Sequence, residues 1–265
     1  MRLVVTLKVV PRPEEVRVNL EKKTLERAGV RSVINPSDLN ALETALALRD
    51  QHGGRVTVLS MGPPSFEPYL RVAIAVGADE AVLLSDRAFG GADTLATSYT
   101  LAEGVRALGG ADLVLCGDES SDGGTSQVPQ GLAEWLGASQ ATYVDRLEVT
   151  EEGNLRARRA LEDGTETLEL PLPAVVSVIG GANEVRFIDY DRWAMAQAAS
   201  VRVIDAAALA ADPDSLGLKG SPTVVAGLRE VRKPGRRHEV LTVTPEAAAA
   251  RLAEELRRLG VAAHA

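Results

Sequence analysis

The sequence predicts an α/β fold, a Rossmann-like parallel sheet with helices on both faces, extended by an antiparallel hairpin and a C-terminal arm. Three observations carry this. Short Val- and Leu-rich runs alternate with helical stripes at connections of a few residues, which is the signature of right-handed βαβ units. Aromatic residues are 3% of the chain while hydrophobic residues are 45%, so the core is built from Ala, Val, Leu and Ile, as suits a sheet covered by helices. After about residue 140 the pattern changes, and Asp163-Gly164 between two strand-like runs is a strong hairpin signal.

The elements follow in order. Leu3–Val10 lacks strict alternation and reads as a strand buried on both faces. Asn35-Pro36-Ser37-Asp38 opens a helix, with Asp38 or Ser37 able to cap and Ala41, Leu42, Ala45, Leu46 and Leu48 as its apolar stripe. Arg55–Ser60 is the next strand, and Met61-Gly62-Pro63-Pro64 turns the chain. Tyr69–Val76 is a second helix, Glu80–Ser85 a third strand, Thr94–Leu108 a third helix, Asp112–Cys116 a fourth strand and Gln127–Leu136 a fourth helix. Gln140–Thr150, Leu155–Leu161, Thr165–Leu170 and Ala174–Val178 are the strands of an antiparallel excursion. From Asn183 the chain is more polar and less regular. Ala206–Ala211 reads as a short helix, and Glu246–Leu259 as a terminal helix with Thr244 as N-cap, Pro245 in the first turn and Gly260 as stop. These divide into an α/β domain over 1–200 and an arm over 201–265.

Composition narrows the function. A net charge of −8 disfavours nucleic acid as a partner, since a phosphate-backbone binder shows a basic balance or face. The basic run Arg232–Arg237 reads as a solvated turn. One cysteine, Cys116, rules out an internal disulfide and argues for a reducing, cytoplasmic setting. The opening Met1–Lys8 is charged too early for a signal peptide, and no apolar run reaches the roughly 20 residues of a membrane span. The three histidines, His52, His238 and His264, sit in no nucleophile or metal-ligand pattern. Neither a P-loop nor a Gly-x-Gly-x-x-Gly after the first strand is present. The sequence offers binding loops without an acid, base or nucleophile.

Parallel α/β sheets bind ligands beyond the carboxyl ends of their strands, and two loops there stand out. Asp86–Ser98 carries Gly90-Gly91, then Asp93, Thr94, Thr97 and Ser98 at a helix start. That chemistry serves either a phosphate or an ordinary cap. Gly117–Gln127 is small and polar, with Asp122 able to accept from a ribose hydroxyl and Ser126 and Gln127 able to donate to phosphate; the other reading is a solvated loop.

These segments together resemble the beta subunit of electron-transfer flavoproteins, including the FixA-type relatives. The resemblance runs from the first strand to about Gln197 and continues more weakly to the end. Its most specific stretch is Ala157-Arg158-Arg159-Ala160-Leu161-Glu162-Asp163-Gly164-Thr165 through Pro173–Ser177, similar to the family signature. Asn35-Pro36 with Asp38 and Glu43, Ser60-Met61-Gly62-Pro63, and Asn183-Glu184 with Arg186-Phe187 agree with it; Val185 replaces a proline.

The resemblance implies a heterodimer. A larger alpha subunit would hold most of a shared FAD, while this subunit would bind AMP or a second FAD. Matched positions place Thr6, Lys8, Asn35, Asp38, Met61, Gly62, Asp93, Thr94, Thr97, Cys116, Ser120, Asp122, Thr125, Ser126, Gln127 and Val128 around that nucleotide. Asp93–Ser98 resembles the motif of electron-bifurcating members that hold a second FAD. Asp118 and Glu119 are acidic where the family often has a basic residue and Gln, which disfavours a pyrophosphate. Tyr190 takes the place of the leucine that anchors partner dehydrogenases; its other reading is a loop tyrosine. The implied role is that of a carrier between dehydrogenases and a quinone oxidoreductase or other acceptor, with no catalytic residue of its own. The alternatives are a universal-stress-like adenine-nucleotide-binding regulator and an enzyme using Asp86, Asp93, Asp118 or Asp122.

Overall fold

The computed structural model describes residues 1–12, 17–19, 24–26, 31–226 and 240–261. The chain forms two compact units, residues 1–228 and 229–265. The basic run Arg232–Arg237, His238 and His264 lie outside the described residues.

The first unit opens with β1 (Arg2–Thr6), and β2 (Val9–Pro11) follows two residues later. The expected single strand Leu3–Val10 is thus two strands. The break falls at Lys8, whose backbone N–H turns to the Asp38 carboxylate (2.7 Å) instead of a neighbouring strand. Strands β3 (Arg17–Asn19) and β4 (Thr24–Glu26) pair with each other, and β5 (Ser32–Ile34) returns antiparallel to β2. This β2–β5 ladder brings Asn35 back beside Lys8, where its N–H donates to the Lys8 carbonyl at 2.9 Å.

Helix α1 (Pro36–His52) follows, then β6 (Arg55–Met61), α2 (Glu67–Val76), β7 (Glu80–Leu84), α3 (Thr94–Ala107), β8 (Leu113–Gly117) and α4 (Val128–Leu136). Next come β9 (Ser139–Val149), β10 (Leu155–Leu161), β11 (Gly164–Leu170), β12 (Ala174–Val178), α5 (Tyr190–Ala198), β13 (Arg202–Ile204) and the short α6 (Ala206–Leu209). The sequence reading from residue 183 onward contains neither α5 nor β13. The 200/201 boundary falls inside the first unit, because β13 pairs in parallel with β7.

The main sheet has nine strands in the order β11-β10-β9-β12-β8-β1-β6-β7-β13. From β9 to β13 across the sheet, neighbouring strands are parallel; β10 and β11 are antiparallel. The expected antiparallel excursion is therefore shorter than its four segments: β9 and β12 belong to the parallel part, with β12 inserted between β9 and β8. Sheet faces separate the core in two. Leu3, Val5, Val56 and Val58 pack with Leu42, Leu46, Leu70 and Ala73 from α1 and α2. Val4, Leu59, Val82 and Val114 pack with Leu101, Ala102, Leu132 and Ala133 from α3 and α4. Helices on both faces explain why these strands read as continuous apolar runs.

The hairpin is held by its arginines. Leu161 pairs with Gly164 across the turn. Arg158 forks onto Asp145 of β9 at 2.8 and 2.9 Å, and Arg159 reaches the Thr142 carbonyl at 2.8 Å and Glu166 at 2.9 Å.

The second unit contains α7 (Pro245–Arg258), where the Thr244 hydroxyl accepts from the Ala247 N–H and Gly260, at φ +72°, follows the end. Leu252 on it and Leu259 at its C-cap are exposed. No helix among the described residues is long and apolar enough to cross a membrane.

Candidate functional site

The sheet order places a topological switch between β1 and β8. From β1 the chain proceeds to β6 and β7 on one side, then crosses to β8 on the other. The carboxyl ends of β1 and β8 therefore diverge into separate loops, leaving a crevice of the kind where open α/β sheets bind ligands.

One buried carboxylate organises that crevice. Asp38 Oδ2 accepts from the Lys8 N–H (2.7 Å), while Oδ1 accepts from the Gly117 N–H (3.1 Å) and from Asn35 Nδ2 (3.1 Å). It thus joins the end of β1, the end of β8 and the start of α1. Burial pushes its carboxyl up to about 7, against the pull of these three donors. There is room only because residue 117 is glycine: a Cβ there would lie 2.3 Å from Asp38 Oδ1 and 2.4 Å from Ser37 Oγ.

Neither Ser37 nor Asp38 caps α1, against the sequence expectation. Asn35 is the N-cap residue and Pro36 the first helical one. Ser37 is spent on the Glu119 carbonyl (3.0 Å), which Asn35 Nδ2 also donates to (2.8 Å), and Asn35 Oδ1 accepts from the Ser121 N–H (3.1 Å). The α1 start thereby fixes the backbone of the loop after β8.

Lys8 fixes the side chains of that loop. Its Nζ lies 2.6 Å from Asp122 Oδ1 and 3.1 Å from Ser120 Oγ. Burial alone would push the Asp122 carboxyl up, but the Lys8 hydrogen bond and charge, with Ser120, outweigh it and hold it below the ordinary range. Thr6, at the end of β1, hydrogen-bonds the buried Cys116 thiol, which burial pushes up to about 12 and so keeps protonated. Cys116 is a wall of the crevice and not a reactive thiolate.

The loop ends on an open helix start. Helix α4 has no side-chain cap, and Gly124 (φ +58°) and Ser126 (φ +53°) turn left-handed just before it. Among the described residues, nothing accepts from the backbone N–H groups of Thr125, Ser126, Gln127 or Val128. Successive unpaired N–H groups at left-handed turns and a helix start form an anion-binding nest, strengthened by the helix dipole. Such donors suit an anionic group such as a phosphate.

The α3 start is arranged differently. Asp93 Oδ1 accepts from the Leu95 and Ala96 N–H groups, and the Thr97 N–H donates to the Asp93 carbonyl. Asp93 Oδ2 accepts from Thr223 N–H (3.1 Å) and hydroxyl (2.8 Å). Burial raises the Asp93 carboxyl, yet these donors outweigh it and hold it low. Asp93 is thus a cap that also pins the chain at 223. The Thr94 hydroxyl reaches the end of the loop after β8, where Oγ1 donates to Gln127 Oε1 at 3.0 Å, while the Ser98 hydroxyl donates to the Leu95 carbonyl of its own helix.

Met61 and Gly62 end β6, beside β1, where Gly62 N–H donates to the Leu84 carbonyl and Met61 packs with the core on the α3 face. No hydrogen bond ties them to the Lys8–Asp122 cluster among the described residues. Tyr190 is 81% exposed at the first position of α5; Phe187, three residues before it, is 93% exposed and Met195, later on α5, 75%. Sequence reasoning singled out Tyr190 alone. The segment leading to it is anchored on α1: Arg186 forks onto Glu43 at 2.9 Å and reaches Asp50 at 3.0 Å, and Asn183 exchanges hydrogen bonds with Asn40. Asn183 and Arg186 belong to the motif quoted from the sequence, and Asn40 and Glu43 lie one turn apart on α1.

The electron transfer flavoprotein domain family matches residues 22–211. The chain belongs to the electron-transfer flavoprotein family. It is 46% identical over 259 residues to the electron transfer flavoprotein subunit beta of Clostridium acetobutylicum, covering 97% of this chain and 98% of that one. Protein FixA of Azorhizobium caulinodans is 45% identical over 255 residues, covering 92% and 88%. A subunit named CarD of a caffeyl-CoA reductase–Etf complex in Acetobacterium woodii is 40% identical over 226 residues, covering 85% and 86%. Within this electron-transfer flavoprotein fold, the Arg158–Arg159 signature serves to fasten the hairpin, and the Asn-Pro-x-Asp helix opening serves to assemble the crevice.

Proposed function

We propose that this chain is the beta subunit of a heterodimeric electron-transfer flavoprotein and holds an adenine nucleotide, AMP or a second FAD, in the β1–β8 crevice. The observation that carries the reading is the uncapped α4 start with four unpaired N–H groups, set beside the Lys8–Asp122 pair. The phosphate would lie on the amides of Thr125 to Val128. Asp122, Ser120 and Asn35 would line the sugar and base side, with Thr6, Cys116 and Met61 as walls.

The FAD shared with the alpha subunit supplies the electron carriage; the residues of this chain bind, orient and exclude water. Electrons would pass from dehydrogenases to a quinone oxidoreductase or other acceptor, with Tyr190 and its exposed neighbours as the docking contact. Such a carrier works in the cytoplasm. Of the expected 201–265 arm, the part carrying α7 would reach onto the alpha subunit, since Leu252 on α7 and Leu259 at its C-cap are exposed.

Co-expression with the larger subunit tests this reading. A yellow 1:1 complex is expected. A colourless homodimer that binds ATP would overturn it in favour of an adenine-nucleotide-binding regulator.

A further inference from the structure

Glu119 sits where the nest opens. Its backbone carbonyl is fixed by Asn35 and Ser37, so the residue cannot leave by moving its main chain. Its carboxylate Oε2 accepts from Ser126 Oγ at 3.3 Å, and lies 3.9 Å from where a Cβ on Gly124 would stand. A fixed anion thus borders a cluster of N–H donors suited to anions. The cation of the crevice does not offset it, because Lys8 Nζ is 2.6 Å from Asp122. Asp118 adjoins on the same loop. Attraction for phosphate here comes from backbone dipoles, and the Glu119 carboxylate beside them is repulsive.

We propose that Glu119 is a charge filter that sets which adenine nucleotides the crevice accepts, penalising each added phosphate charge. The inference rests on the nucleotide reading above and adds the residue that grades it. The physical basis is Coulombic. A carboxylate several ångströms from a phosphate, in a partly solvated site, opposes each further unit of charge, and salt screens the effect. The uncharged part of the ligand is indifferent to it. Adenosine, AMP and ADP therefore separate charge from shape.

The test compares the wild-type heterodimer with its Glu119→Gln variant, both freed of bound nucleotide, by calorimetric titration of adenosine, AMP and ADP at low and high salt. Gln keeps the size and can still hydrogen-bond Ser126. Because the fold uses the backbone of Glu119 and its side chain is exposed, the variant should melt like the wild type. The expected result is adenosine unchanged within about twofold, AMP about threefold tighter and ADP about tenfold tighter, with the gains shrinking at high salt. Equal gains for AMP and ADP, no gain for either, or an equal gain for adenosine would overturn the filter while leaving nucleotide binding intact. Failure of all three ligands to bind either protein would overturn the nucleotide reading itself, and the filter with it.

Discussion

Asp38 Oδ1 accepts a hydrogen bond from the Gly117 backbone N–H at 3.1 Å, joining the start of the first helix to the end of the fourth strand of the βαβ run. The two residues are 79 positions apart, and neither fits without the other. A carboxylate buried at the switch point needs N–H donors, and the donor strand must carry no Cβ.

Asp38→Asn should therefore cost about 2–3 kcal/mol at neutral pH, because one amide nitrogen would face an N–H donor that the carboxylate now satisfies. The pH dependence has a definite sign. The folded carboxyl, at about 7, lies above its unfolded value of about 3.9. The folded state thus binds the extra proton between those limits, and this contribution to stability is present at low pH and lost as pH rises through 7. Relative to Asp38→Asn, the wild type should gain about 2 kcal/mol from pH 8 to pH 5. Urea denaturation of both proteins at the two pH values measures it; a constant difference would contradict the assignment.

Gly117→Ala places a methyl 2.3 Å from Asp38 Oδ1 and 2.9 Å from the Asp38 nitrogen. Backbone cannot yield as a flexible side chain does, so a loss of about 3 kcal/mol is expected. Nucleotide content should fall with it, because the same shift moves the loop that carries the nest. Melting temperature and nucleotide content measured on one preparation decide the point.

Lys8→Gln removes the clamp on Ser120 and Asp122 without touching the core. The lysine is half exposed and the pair partly so, and stability should fall by less than about 1 kcal/mol. Affinity for AMP should drop by roughly tenfold, since the loop loses its preorganisation. Calorimetry on the heterodimer checks this, and unchanged affinity would mean the loop orders itself.

Arg186→Ala should leave the crevice intact and loosen the approach to the exposed α5 residues. Glu43 is 13% exposed in its side chain and loses its forked partner, at a cost of about 1–2 kcal/mol. Hydrogen exchange should rise across residues 183–189 and stay unchanged at 117–128.

Tyr190→Ala, by contrast, should change stability by less than about 0.5 kcal/mol, as an exposed side chain far from any strained feature. On the proposed docking role of Tyr190, electron transfer from a dehydrogenase partner should slow by about tenfold or more. Stopped-flow reduction with that dehydrogenase distinguishes the two effects.

Much of this fold was legible because local patterns and tertiary environment agree. β1, β6, β7 and β8 are buried on both faces, so their apolar runs stand out, and Asp163-Gly164 marks its hairpin. α5 and β13 were missed for the opposite reason. Only Ala196 of α5 is buried, which leaves no apolar stripe, and β13 has three residues of which Ile204 alone is buried. Lys8, Asn35, Asp38, Ser120 and Asp122, which the structure brings together, were named in the sequence through the family resemblance, but their contacts were not. Asp38 looks like a cap in sequence and is a tie between strands, because its partners lie 30 and 79 residues away. Asp93 reads in the sequence as a cap or a phosphate contact; its carboxylate caps α3 and also holds Thr223, a partner 130 residues distant that no local pattern announces. The α4 start was legible as a place for phosphate through Ser126 and Gln127, but its lack of a side-chain cap was not, since unpaired backbone donors leave no mark on side-chain identity.

On the proposed reading, the β1–β8 crevice holds one adenine nucleotide on the amides of Thr125 to Val128. The most direct measurement is to purify the chain with its alpha subunit, denature the complex and count FAD and AMP per heterodimer. Either two FAD, or one FAD and one AMP, is the predicted result. One FAD and no further adenine nucleotide would contradict it.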